Sequence, residues 1–284
     1  MKGLFFVAFD DDTSRARPLL WPRHAVRSLL NAPPIRRAIE ARYEEEFSTA
    51  TRANLFRGVY PSFDEAARAA PPTKPMGYDN PGPAAMYRKR PARLPLSDYP
   101  ALFWISRFVP GAKRLFDLGG HVGLRYYDFR ALLELPPGFT WQVMDVPAVV
   151  DAGRVLAVEE KASHLTFTTR REDLDGSDIL FCSGSLQYLE KPLHEILAAM
   201  PSIPRHVIVH AMPMRDGLPF YTLQSIGTAF CPYRIEDRTA LASGMAALGY
   251  ELLDTWMSPE KFCALPFHPD HSIRGYTGMS FRRR

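Results

Sequence analysis

The chain has 284 residues, 46% of them hydrophobic, enough for a buried core in one large domain or in one domain with an appendage. No run of about 18 apolar residues occurs, and "MKGLFFVAFDDD" reaches three aspartates too soon for the apolar core of a secretory signal, so a soluble, cytoplasmic protein with no membrane partner is expected. The net charge of +4 comes from scattered arginines and a terminal "RRR" and not from a basic stripe interleaved with aromatics, which argues against a nucleic-acid partner.

The first 112 residues are rich in proline, which keeps out of helix and sheet interiors, so they read as an irregular region with short helices. Helices are predicted around "HAVRSLLN", over "PIRRAIEARYEEEF" with its prolines in the first turn, and over "SFDEAARAA", where Ser62 stands at the cap and Glu65 three residues on. From Lys113 the rhythm changes. Strands are predicted at "RLFDLG", "TWQVMDV", "LTFTT", "DILFCSG", "HVIVHAM", "YELLDTWM" and "GYTGMSFRR". Helices are predicted at "LRYYDFRALLEL", "PAVVDAGRVLAVEEK", "KPLHEILAAM" and "RTALASGMAALG". Strands alternating with helices predict an α/β fold with a mostly parallel sheet covered on both faces, its ligand outside the carboxyl ends of the strands. The division expected is 1–112 as a helical, proline-rich lid or substrate region and 113–284 as the ligand-binding domain. Cys182, Cys231 and Cys263 are few and far apart, so they read as reduced thiols.

The turn after the first of these strands, "RLFDLGGHVGLRYYDF", contains neither G-x-G-x-x-G nor G-K-[ST]. It reads as D-x-G-x-x-x-G over Asp117, Gly119 and Gly123, with His121 between the glycines. A glycine at 119 lets the backbone approach a ligand at positive φ, and Asp117 at the strand end can accept from an ammonium group. This resembles the first motif of class I S-adenosylmethionine-dependent methyltransferases, with the middle glycine replaced. Asp145, 26 residues beyond Gly119, stands near the roughly 20-residue spacing of an acid that reaches ribose hydroxyls in such units. "REDLDGSDILF" is similar to the acidic, acidic, leucine stretch that precedes the fourth strand of these enzymes, and "ILFCSGSLQYLEKP" to that strand and its loop. The resemblance covers about residues 113–284 and includes a late strand pair, the last strand antiparallel. "RGVYPSFDEAARAAPPTKPMGYDN" and "MPMRDGLPFYTLQSIGTAFCPYRI" extend it to a group of bacterial methyltransferases of unassigned substrate.

The resemblance implies a Rossmann-like sheet, S-adenosylmethionine as cofactor and a small-molecule methyl acceptor; a homodimer is compatible with it. The cofactor would be held by Asp117, Gly119, Gly120, His121 and Gly123, by Asp145 with Val146, by Glu172, Asp173 and Leu174, and by Ser183 and Gly184. The residues leave open which of Glu172 and Asp173 reaches the adenine, and whether Asp145 is simply a helix cap before Pro147. In many small-molecule O-methyltransferases a leucine-histidine pair follows the fourth strand. The matching pair is Leu186 and Gln187, and a glutamine orients a hydroxyl or amine without taking its proton. His210 then stands as the candidate base, against the alternative of a histidine satisfied by hydrogen bonds near the sheet end. Tyr188, Tyr78, Gln224 and Tyr233 are candidate acceptor contacts, with Asp79 beside Tyr78; the alternative for the segment carrying Gln224 and Tyr233 is an ordinary packed insertion. Tyr126 and Tyr127 are adjacent on a helix and cannot both face one ligand, so they are expected in the core. His206 and His210 on one strand stand too far apart to share an ion, and no metal is predicted.

O-methylation of a small molecule in secondary metabolism is therefore expected. The rivals are a non-catalytic methyltransferase-like binding protein, favoured by His121 and Gln187, and a nicotinamide-dependent oxidoreductase, disfavoured by the missing fingerprint.

Overall fold

In the computed structural model, which describes residues 33–51, 54–79 and 94–284, the apolar run "RLFDL" forms a strand, β2 (Arg114–Leu118), in the interior of a seven-stranded sheet. The helix expected around "HAVRSLLN" and the proline-rich stretch 80–93 lie outside the described residues.

Ahead of β2 come helix α1 (Pro33–Thr49), strand β1 (Leu55–Tyr60), and helices α2 (Phe63–Arg68) and α3 (Tyr99–Phe108). Ser62 caps α2 as expected, accepting from the Glu65 N–H at 3.2 Å. After β2 the chain alternates: α4 (Leu124–Phe129), β3 (Thr140–Met144), α5 (Pro147–Glu159), β4 (Leu165–Thr168), β5 (Ile179–Ser183), α6 (Leu193–Ala198) and β6 (His206–Met212). Strands β7 (Met214–Arg215), β8 (Phe220–Ser225) and β9 (Phe230–Asp237) follow, then α7 (Arg238–Ala247), β10 (Tyr250–Cys263) and β11 (Ile273–Arg283).

The large sheet has the order β10-β11-β6-β5-β2-β3-β4. Its β6-β5-β2-β3-β4 part is parallel throughout, and β11 enters antiparallel between β6 and β10. This is the doubly wound sheet with an antiparallel last strand that the resemblance predicts. The strands read as unbroken apolar runs because both faces are covered. Along β5, Ile179 and Phe181 join the cluster under α3 and α4, with Trp141 and Ile208. Leu180 and Cys182 face the opposite way, into the cluster under α6 and α7. Tyr126 and Tyr127 are both buried, in the first cluster.

Three elements differ from the sequence reading. The N-terminal region is not wholly helical: β1 lies in it and pairs antiparallel with β8, Phe56 opposite Gln224. The stretch around Gln224 and Tyr233 is no irregular insertion but the β8–β9 hairpin, so a second sheet of order β1-β8-β9-β7 exists. Pro232 inside β9 hid it; β9 pairs with β7 only at Glu236 and Asp237, which leaves the proline on an open side where no ladder bond is lost. Finally α4 stops at Phe129, six residues short of the Leu135 expected, with Arg130 as its cap.

Glu46–Arg284 form one compact unit, so β1 belongs to the same unit as the large sheet. Among the described residues no helix is long and apolar enough to cross a membrane. Phe181, fully buried at the sheet centre and edge-on to Trp141 at 6.0 Å, tests the core. Phe181→Ala is expected to lower the unfolding free energy by about 3–5 kcal/mol in denaturant melts, against less than about 0.5 kcal/mol for Val158→Ala on the solvent face of α5.

Candidate functional site

The parallel strands deliver their carboxyl ends to one edge, and the predicted residues gather there. Asp117 is the one charged side chain in the interior of β2, opposite Val143 and Phe181 of its neighbours. Trp141 Nε1 donates to its Oδ2 at 3.0 Å, while Oδ1 is buried with no hydrogen-bond partner. Burial pushes its carboxyl up to about 7, against the opposing pull of the Trp141 hydrogen bond and Arg125.

The loop above needs its glycines for separate reasons. A Cβ on Gly120 would stand 2.5 Å from the Asp117 carboxyl carbon. One on Gly119, at φ +72°, would stand 2.5 Å from Ser185 Cβ, and one on Gly123, at φ +88°, 2.7 Å from a Leu165 methyl. His121 takes the third left-handed conformation, φ +57°. Histidine tolerates that region better than most side chains, and its N–H donates to Asp145 Oδ2 at 2.9 Å. The replaced glycine thus leaves the left-handed turn intact. Asp117 does not meet the expectation of a direct contact to an ammonium group, because its carboxylate lies closed beneath Gly120.

Asp145 ends β3. Its Oδ1 accepts from the Val146 N–H at 2.8 Å, and with His121 on Oδ2 it joins the glycine loop to the start of α5. It is half-buried, and burial raises its pKa against the two backbone donors. Of the acidic pair before β5, Glu172 is exposed, whereas Asp173, in the 3-10 turn Arg171–Leu174, is held against the end of β4, accepting from Thr168 Oγ1 at 2.6 Å. Leu174 is fully buried in the core, not at a ligand surface.

After β5, Ser183 Oγ accepts from Arg125 Nε at 3.2 Å and the Gly184 N–H donates to the His210 carbonyl at 2.8 Å. Ser185 Oγ donates to the Leu118 carbonyl beneath the glycine loop. Gln187 is 3% exposed; its amide donates to the Gly184 carbonyl at 2.6 Å, and its Oε1 is buried without a partner. A buried acceptor left in that condition is a place where a ligand N–H or O–H gains a full hydrogen bond.

His210 is 1% exposed and occupied on both sides. Trp256 Nε1 donates to Nδ1 at 3.2 Å, so Nδ1 carries the lone pair and Nε2 carries the proton, which goes to Asp98 Oδ1 at 2.8 Å. Burial lowers the pKa of the imidazole, opposed by Asp98. A general base needs a free lone pair, and that of His210 is engaged by Trp256. The expected base is therefore a buried structural group, satisfied by side chains. Arg125 bonds the other oxygen of Asp98 and, at 3.3 Å, Asp128. Asp98, Arg125 and Trp256 were not legible as partners; Asp98 occupies the N-cap position of α3 but makes no side-chain cap bond.

The candidate acceptor contacts form one chain of hydrogen bonds. The Tyr78 hydroxyl donates to the Tyr188 hydroxyl at 3.1 Å, Tyr188 to Gln224 Oε1 at 2.9 Å, and Gln224 Nε2 to Asn54 Oδ1 at 3.0 Å. Asn54, at φ +65° before β1, is a member that no sequence signal marked. Tyr233 packs edge-on to Tyr188 at 5.3 Å but is 2% exposed and shares a 2.8 Å hydrogen bond with Tyr276, which makes it core. Asp79 Oδ1 accepts from the Ala148 N–H at 3.4 Å, in the first turn of α5.

No family model matches the chain, and no curated protein matches it. Solved structures do. The 1,6-didemethyltoxoflavin-N1-methyltransferase of Burkholderia thailandensis, described with bound S-adenosylhomocysteine, is similar at 16% identity over 66% of this chain and 78% of its own, TM-score 0.45. The CcbJ methyltransferase of Streptomyces caelestis is similar at 14% identity over 70% and 95%, TM-score 0.47. The magnesium protoporphyrin IX methyltransferase of Synechocystis PCC 6803 is similar at 13% identity over 66% and 81%, TM-score 0.44. At these scores the reading of the site rests on this chain's own loop and carboxylates.

Asp117 gives the site a pH signature. Its native pKa of about 7 lies above the ordinary 3.8, so between those values the native state holds a proton that the unfolded chain has released. Stability is lost as pH rises through that window. Asp117→Asn stays neutral, so the melting temperature of the wild type, relative to the variant, is expected to fall from about pH 4 to about pH 7 and level off above; parallel curves would remove Asp117 from the account.

Proposed function

We propose that the chain is an S-adenosylmethionine-dependent methyltransferase acting on a small molecule, through oxygen in preference to nitrogen. The observation that carries this reading is the left-handed glycine loop at the carboxyl edge of the sheet, joined through Asp145 to the end of β3. Carboxylates at successive strand ends, Asp145 and Asp173, suit a ligand that lies along the edge with its ribose at the first and its adenine at the second. The loop Gly119–Gly123 would cradle the amino-acid end, with Asp117 holding the loop from beneath. When bound, the cofactor supplies a methyl group on a sulfonium, already a good electrophile.

The chain's own part is then to hold the acceptor in line and exclude water, with proximity supplying most of the effect. Gln187 Oε1 orients an N–H or O–H donor, and the Tyr78–Tyr188–Gln224–Asn54 chain walls that side. With its lone pair engaged by Trp256, His210 does not serve as the base. The acceptor class that fits is one whose nucleophile needs little help: a carboxylate, an acidified phenol or an uncharged amine.

A non-catalytic binding protein is the second reading, favoured by Gln187 and the occupied His210. Calorimetric titration with S-adenosylmethionine, S-adenosylhomocysteine and NADH separates these readings from an oxidoreductase, with both adenosyl ligands expected to bind and NADH not. Absence of adenosyl binding would overturn the proposal. Adenosyl binding without transfer to any phenol, carboxylate or amine in a broad screen would favour the second reading. Asp145→Ala is expected to weaken S-adenosylhomocysteine binding by about tenfold or more, the scale of a hydrogen bond to a charged group; an unchanged dissociation constant would sink the ribose assignment.

A further inference from the structure

The opposite edge of the large sheet carries a feature that the proposed chemistry does not use. Where α3 ends, beside the start of β6 and the end of β11, an open groove of about 610 Å³ is lined by rings and cations. That volume falls in the range of roughly 300–1,000 Å³ typical of small-molecule sites. It lies at His206, four residues down β6 from His210 and on the far side of the sheet from the glycine loop.

The apolar wall is built from three rings of α3. Phe108 stacks on the His206 imidazole with centroids 3.9 Å apart and planes 15° from parallel. Trp104 is held by its Nε1 bond to Asp254 at 2.8 Å, and Phe103, edge-on to it at 5.2 Å, is 53% exposed. Phe108 is buried with one face covered by His206, so the ring surface open to a ligand is that of Phe103 with part of Trp104.

The residues that line the groove include three arginines, Arg107, Arg205 and Arg282, and no acid. Arg282 is paired with Glu251 at 3.2 Å, and the carboxylates of Asp254 and Asp178 lie at the margin, on the Trp104 indole and on the N–H groups of Lys113 and Arg114 at 2.7 and 3.0 Å. Arg107 and Arg205 are exposed and, among the described residues, form no ion pair. The His206 imidazole reports the same field, its pKa pushed down to about 4 by burial first and by Arg205 and Arg282 next.

We infer that this groove is a second binding site, for a small aromatic or heteroaromatic anion whose ring lies on Phe103 and Trp104 and whose phosphate, sulfate or carboxylate is met by Arg107 and Arg205. Guanidinium groups suit such oxyanions through paired N–H donors and also stack on flat ligands. The site stands apart from the glycine loop, so it does not depend on the cofactor assignment.

The test is calorimetry of the full chain with 2-naphthyl phosphate, compared with 2-naphthol and with inorganic phosphate. Saturable one-to-one binding, at least tenfold tighter than either comparator and weakened by salt, is expected. Arg107→Glu combined with Arg205→Glu, both on the surface and neither touching the glycine loop, is expected to weaken naphthyl phosphate at least tenfold and leave the thermal melt unchanged. Failure of naphthyl phosphate to bind, equal binding of inorganic phosphate, or undiminished binding by the double variant would each overturn the inference. The result for S-adenosylhomocysteine is read separately and bears on the other edge alone.

Discussion

The Asp145 carboxylate, shared between the N–H groups of His121 and Val146, is the contact on which the carboxyl edge depends. It ties the turn after β2 to the turn after β3, just beyond the last backbone bond between them, from the Gly119 N–H to the Met144 carbonyl at 2.8 Å. A left-handed histidine is strained by about 1–3 kcal/mol, and a charge-assisted hydrogen bond to its own N–H, worth about 1.5–3 kcal/mol, offsets that. The acid at the end of β3 and the non-glycine residue in the loop are thus one device. Beneath it, Asp117 fills the space that the missing Cβ of Gly120 leaves open.

A second buried device holds the neighbouring strand ends. Asp98 accepts from His210 and Arg125, Arg125 reaches Ser183, and the His210 carbonyl receives the Gly184 N–H. The polar groups bring α3, α4, β5 and β6 to a common point and fix the direction of the loop that carries Gln187. A charged pair this deep is stable only if every member is satisfied, and the indole of Trp256 completes it from β10.

What was legible in the sequence follows from how locally each feature is encoded. The glycine turn and Asp145 belong to one βαβ unit, so their spacing is set by the length of one strand and one helix. The acidic turn before β5 was visible for the same reason, but its three residues separated only in the structure: Glu172 to solvent, Asp173 to the edge and Leu174 to the core. The His210 network was hidden because Asp98 is 112 residues away and sits where a helix cap is expected. Strand β1 was hidden because its partner β8 is joined to it only through the folded molecule and because Pro232 disguised the hairpin. The amino-edge groove had no local pattern at all, since α3, β6 and β11 contribute to it from three separate parts of the chain.

The two buried devices bear on what chemistry the edge can support. A histidine whose lone pair faces an indole and whose proton faces a carboxylate holds one tautomer at neutral pH, and freeing it for proton transfer would require parting Trp256 from it. The chain retains a rigid acceptor at this edge instead, the orphaned Gln187 oxygen. Acceptors of that kind orient a donor without removing its proton. Under the proposed reading, the discrimination among substrates falls on the acidity of the substrate itself, since a nucleophile that is not already ionised or uncharged-basic finds orientation from Gln187 but no partner for its proton in His210.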